Sequence, residues 1–159
     1  MATRSIIAIQ NKKGFKGGYH HWDGYPTGLG EYLFDTFQED GWGMVEKATS
    51  HTWSSFQSEE CHCCGTMSDG RTEEFWVADE NTECGAEYVY AFLHESWVDN
   101  SGETKHNHFM NIYARKLDGQ QVVEFFGMTT PNAKWELISS VDLNGKKPDF
   151  KKIEQEQYV

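Results

Sequence analysis

The chain has 159 residues, 38% hydrophobic and 14% aromatic, with 25 acids against 14 Lys and Arg. That length is one domain, with a core that needs no disulfide or metal to form, and its 6 Trp, 7 Tyr and 10 Phe are the residues that disordered chains lack. A net charge of −11 excludes ordinary duplex binding, which requires clustered Lys and Arg, and no apolar run reaches the ~18–20 residues of a membrane span.

In chain order, residues 4–10 are short, β-branched and strand-like. Asn11-Lys12-Lys13-Gly14 is a hairpin connection, and residues 15–22 return as a second strand. Gly17-Gly18 marks a bulge or a close backbone approach. Asp23-Gly24-Tyr25-Pro26 is a turn, because Asp-Gly favours one and Pro ends the extended run. A helix follows with Thr27 as its expected N-cap and Leu29, Tyr32, Leu33, Thr36 and Phe37 on one face. Gly41 and Gly43 break it, and a short second helix runs to about Ser50. Residues 51–73 show no period and are expected to form one long loop.

The period then changes to two. Residues 74–79, 86–94, 106–115 and 121–126 are expected strands, the last two joined by an Asp118-Gly119 turn, and Trp135–Ser140 adds another. The expected fold is α+β: a mostly antiparallel, twisted sheet with one or two helices packed on one face. Residues 1–143 make the single domain, and 144–159 form a polar C-terminal tail expected to fray. Without a signal-peptide or spanning pattern, the expected location is intracellular, with no membrane partner.

Charge is unevenly placed. Residues 1–22 carry four bases and no acids, whereas residues 58–95 carry ten acids and one base. The basic cluster is Arg4, Lys12, Lys13 and Lys16, with Lys146, Lys147, Lys151 and Lys152 near the other end. A small anionic ligand near the first cluster, or a basic protein on the acidic middle, fits this distribution. A solubilising charge is the bland alternative.

The densest chemistry lies in residues 19–30. The second strand runs into a helix N-terminus, where exposed N–H groups and the helix dipole favour an anion. Arg4 and His21 would supply charge, Thr27 and Gly28 backbone donors, Asp23 a cap, and Trp22 or Tyr25 a stacking face. The plain alternative is a structural turn, with Asp23 capping local N–H groups and Trp22 in the core. Cys61-His62-Cys63-Cys64 contains one Cys-x-x-Cys, half of a zinc knuckle. Cys61, Cys64 and Cys84 could hold zinc with a histidine, or the segment is a loop of reduced thiols. His106 and His108 share a strand face at ligand spacing without an evident third ligand, and read as exposed or sheet-packed side chains. No standard catalytic signature is present, and no catalytic residue is assigned.

Thr3-Arg4-Ser5, the run His21-Trp22-Asp23-Gly24-Tyr25-Pro26, Gly28 and Gly30 together resemble a family of small, uncharacterised bacteriophage proteins. Members begin with Met-x-Thr-Arg-Ser and carry the same His-Trp-Asp-Gly-Tyr-Pro run after a first hairpin. The resemblance covers residues 3–37 and extends to Ala86–Leu93, which is similar to their Glu-Tyr-Ala-Tyr-Leu-Phe strand. It does not cover residues 51–80 or the C-terminal third. Members often have Cys before His-Trp-Asp; His20 stands there instead, which removes a thiol role at that position. The resemblance implies a phage accessory protein in the cytoplasm of an infected bacterial host, and no reaction.

The expected function is therefore binding, with a small anionic, nucleotide-like host defence signal captured at the hairpin–helix junction. The first alternative is an acidic interaction protein that inhibits a basic host protein or mimics nucleic acid. The second is a zinc- or thiol-dependent hydrolase. A homo-oligomer is compatible with each.

Overall fold

In a computed structural model, which describes residues 3–11, 14–61, 73–75, 86–115 and 135–156, the first hairpin forms where the turn chemistry places it. Strands β1 (Ser5–Asn11) and β2 (Gly14–His20) pair antiparallel, with Ser5 opposite His20 and Asn11 opposite Gly14. The close approach expected at the glycine pair is present. A Cβ on Gly17 would stand 2.0 Å from the Ile7 carbonyl oxygen, and one on Gly18 2.1 Å from that of His51.

The remaining strands are β3 (Trp53–Ser55), β4 (Glu60–Cys61), β5 (Glu73–Phe75), β6 (Tyr88–Val98), β7 (Thr104–Ala114) and β8 (Glu136–Asp142). Their order across the sheet is β4-β3-β2-β1-β6-β7-β8, with β5 also pairing β2. This corrects the expectation of a mostly antiparallel sheet. The sheet is mixed, because β1 runs parallel to β6 and the end of β2 parallel to β3. The reason is visible in β1 itself: Ile6, Ile7 and Ala8 are all fully buried, so both faces of the strand are covered. A continuous apolar run of that kind belongs to an interior strand with a parallel neighbour. Reaching such a neighbour requires a long crossover, and the helices lie in it.

Pro26–Gly30 forms one π-helical turn that leads into α1 (Glu31–Asp40), and α2 (Trp42–Thr49) follows after Gly41 at φ +64°. Leu29, Leu33, Phe34 and Phe37 are buried, as are Met44, Val45 and Ala48. They pack on Ile7, Tyr88, Tyr90, Phe92, Met110 and Ile112 from one face of the sheet. A smaller cluster of Ile6, Ala8, Ala86, Val89, Ala91, Tyr113 and Trp135 forms on the opposite face.

Two expectations fail locally. Residues 51–73 are not one loop, since β3 and β4 lie within them and Trp53 is fully buried with Nε1 donating to the Ala48 carbonyl at 2.8 Å. The tail expected to fray contains α3 (Phe150–Glu156). Phe150 and Ile153, three residues apart and so on one helix face, are buried, and Phe150 meets Phe34 edge-on at 6.0 Å. Its polar composition conceals two apolar anchors. The expected strand at 121–126 lies outside the described residues. Among the described residues no helix is long and apolar enough to cross a membrane.

Candidate functional site

At the end of β2 the chain turns sharply over the start of β1. Gly24 N–H donates to the Thr3 carbonyl at 2.9 Å, an approach possible only without a side chain. A Cβ there would lie 2.5 Å from Ser5 Oγ and 2.6 Å from the Thr3 carbonyl oxygen. Asp23 takes a left-handed φ of +56°, which Asp tolerates better than most residues. From below, the fully buried Tyr90 hydroxyl donates to the Gly24 carbonyl at 2.6 Å. Sheet and turn are thereby fixed to each other, and the Thr3–Ser5 and His21–Pro26 motifs are brought into contact.

The helix start differs from its expected form. Tyr25 precedes the first turn without a side-chain cap, and Pro26 occupies the first helical position, which suits its missing N–H. Thr27 is not the N-cap. Its N–H and hydroxyl both donate to Glu154 Oε1, at 3.3 and 3.0 Å. Gly28 N–H is taken by the Tyr25 carbonyl and Leu29 N–H by that of Asp23, each at 2.9 Å. The donors expected to hold a ligand anion thus already have partners within the chain, one of them a carboxylate from α3.

The local field follows from these placements. The Tyr25 hydroxyl donates to Asp23 Oδ1 at 3.3 Å. Its pKa is raised, first by the Asp23 charge, then by partial burial and the Asp23 hydrogen bond, and last by Glu154. Alternation along β1 puts Arg4 on the face of Ile6 and Ala8, which by register is also the face of Tyr19, and its charge acts on Glu87 together with that of Arg115. Burial raises the Glu87 pKa and is the largest influence on it; the two arginines oppose that shift.

Trp22 does not fill the core but is 50% exposed. His21 N–H and Trp22 N–H donate to the Trp53 and Ser54 carbonyls, each at 2.9 Å. These bonds hold the backbone along β3 and leave the indole in solvent. The His21 ring stands edge-on to Trp22 at 4.5 Å, and its Nδ1 lies 2.5 Å from the Tyr19 hydroxyl. Tyr19, His21 and Trp22 therefore make one run of ring contacts, while Tyr25, packed against the helix-side core, is the ring that feels the Asp23 and Glu154 carboxylates.

Beneath it sits His20, 2% exposed, whose Nε2 accepts the Phe56 N–H at 3.0 Å. Burial, aided by the neighbouring His21, lowers its pKa to about 3, so the ring is neutral and carries its proton on Nδ1. Neither that Nδ1 nor Oγ of its register partner Ser5 has a hydrogen-bond partner among the described residues.

No protein-family model, curated protein or solved structure matches this chain. Function therefore has to be read from the site. Among the described residues no group of three His, Cys, Asp or Glu is arranged to hold a metal ion. Of the expected zinc ligands, Cys61 contributes backbone to β4, opposite Trp53; Cys64 and Cys84 lie outside the described residues. Sequence reasoning missed Glu154 and Tyr90, which complete the junction. Glu154 lies 127 positions from Thr27 in a stretch read as tail, and nothing local marks it. Tyr90 was visible as a core aromatic, but its hydroxyl required a partner once buried.

Proposed function

We propose that this protein acts by binding, and that the junction takes a cationic group of a partner protein. The observation that carries this reading is the occupancy of the Thr27 donors by the Glu154 carboxylate. The positive end of the helix is thereby neutralised, and what faces outward is Asp23, Glu154 and aromatic rings. A half-exposed indole one residue from the exposed Asp23 suits an arginine or lysine, which gains cation–π attraction from the ring and charge from the acid. The net charge of −11 would steer a basic partner toward it. On this reading the partner is a basic host protein, met in the cytoplasm of an infected bacterium if the resemblance to phage proteins reflects origin.

The anionic, nucleotide-like ligand is the second reading. It is favoured by one fact: the Thr27 N–H and hydroxyl do hold an anionic oxygen. Such a ligand would have to displace Glu154.

The two readings part in a binding titration. A fluorescent oligo-arginine peptide is expected to bind with salt-sensitive affinity, and Trp22→Ala and Asp23→Asn are each expected to weaken it about fivefold to tenfold. Peptide affinity unchanged in both variants, with ATP binding that strengthens in Glu154→Gln, would favour the anion instead.

A further inference from the structure

At the other end of β6 and β7, away from the junction, the sheet assembles three histidines. The register puts His94 directly opposite His108, and His106 opposite Ser96, two residues nearer the hairpin turn. All three project from the face that carries Phe92 and Met110 into the helix-covered core. His106 and His108 are the pair already at ligand spacing; the strand across from them supplies the third imidazole. We propose that His94, His106 and His108 form a binding site for a divalent ion of borderline softness, Zn²⁺ being the one best suited to three imidazoles.

Spacing is the main argument. Two nitrogens bound to one tetrahedral zinc at about 2.05 Å stand about 3.3 Å apart, and the centres of their rings about 5 Å apart. His94 Nε2 and His106 Nδ1 are hydrogen-bonded to each other at 3.1 Å, a contact that an ion would replace at nearly the same separation. The His94 ring centre is 5.2 Å from that of His106 and 4.8 Å from that of His108. The distances are those of a shared ion, whereas the orientations are not: the planes lie within 16° and 21° of parallel, so the rings stack and the nitrogens do not yet converge. His94 and His106 are exposed and His108 is half-buried. Binding therefore requires the imidazoles to rotate about their side-chain bonds out of this stack and to exchange the His94–His106 hydrogen bond for the ion.

The surroundings favour a defined site. The Leu143 N–H donates to the His108 carbonyl at 2.9 Å, which ties the β7 backbone at this histidine to the segment after β8. Trp42 packs on His108 at 5.4 Å and on His94 at 6.3 Å, and Phe37 packs on His108 at 5.5 Å. These rings wall one side with apolar surface. Three protein ligands leave a fourth position for water, the pattern of open rather than purely structural zinc sites.

Co²⁺ titration of the full chain under reducing conditions tests this. The expected result is one equivalent bound, with the visible d–d bands of four-coordinate Co²⁺, no near-ultraviolet thiolate-to-metal band, and displacement by Zn²⁺. His106→Ala, at an exposed position, is expected to weaken binding at least 10-fold with the far-ultraviolet circular dichroism unchanged; His94→Ala should do the same. A thiolate band would assign the ion to the cysteines and overturn the proposal. So would affinity unchanged in His106→Ala, or no Co²⁺ bound at millimolar concentration.

Discussion

Lowering the pH from 7 to 4 is expected to remove about 3 kcal/mol of stability through His20 alone. In the folded protein its pKa lies at about 3, because the ring is buried and the neighbouring His21 further disfavours its charge. In the unfolded chain it returns to 6.5. Between those values the unfolded state takes up a proton that the folded state refuses, so the contribution is present above pH 6.5 and is lost as pH falls toward 3. Carboxylates titrate in the lower part of the same window, so the test is a difference between two proteins. In His20→Gln the amide oxygen can still accept the Phe56 N–H but nothing there titrates. Urea denaturation at several pH values should show a stability loss about 3 kcal/mol smaller in the variant. Equal losses in both proteins would mean that His20 charges in the folded state.

The second large effect is expected at the paired glycines of β2. Gly18→Ala places a methyl 2.1 Å from the His51 carbonyl oxygen and 3.0 Å from its carbon. Both are backbone atoms, so no side chain can swing away; the connection into β3 must separate from β2. Gly17→Ala meets the Ile7 carbonyl oxygen at 2.0 Å and the Ala8 Cα at 2.5 Å, which forces β1 from β2. Each is expected to cost about 3 kcal/mol or more, at the upper end of overpacking. Gly43 in α2 is the internal control. A Cβ there meets nothing within 4 Å, so Gly43→Ala should stabilise by roughly 0.5 to 1 kcal/mol through helix propensity and a less flexible unfolded chain. Thermal melts of the three variants decide it: similar small shifts in all would contradict the close strand approach.

The first hairpin and the first helix were legible because their signals are local. Asn11–Gly14 and Asp23–Pro26 carry turn chemistry, and Leu29, Leu33 and Phe37 repeat at helical spacing. The parallel pairing of β1 with β6 was less accessible, since strand direction depends on where the intervening helices return the chain. The clue was present in Ser5–Ile9, where apolar residues occupy both faces, but a short run of this kind also fits an antiparallel interior strand. α3 went unread because only Phe150 and Ile153 anchor it among charged neighbours.

At the junction, the candidate residues are neighbours along the sequence, whereas the charge around them is not set locally. His21, Trp22, Asp23, Tyr25, Thr27 and Gly28 do cluster, and their proximity to Thr3 and Ser5 follows from the hairpin. The sign of the local charge depended on two facts that spacing does not carry. One is the side of β1 on which Arg4 lies, which is set by strand register. The other is Glu154, which arrives from the opposite end of the chain. The histidine set on β6 and β7 was half visible for the same reason: His106-x-His108 is local, whereas His94 joins it only through cross-strand pairing.

The most direct test of a cation-binding junction is an amide and indole NMR titration of the ¹⁵N-labelled protein, with oligo-arginine peptide in one series and ATP in the other. The Trp22 indole resonance is identified by its loss in Trp22→Phe. The peptide is expected to shift that indole and the amides of Asp23 and Tyr25, with the shifts shrinking as salt is added, while ATP leaves Thr27 and Gly28 unmoved. Shifts of Thr27 and Gly28 with ATP, and a Trp22 indole indifferent to the peptide, would contradict the account.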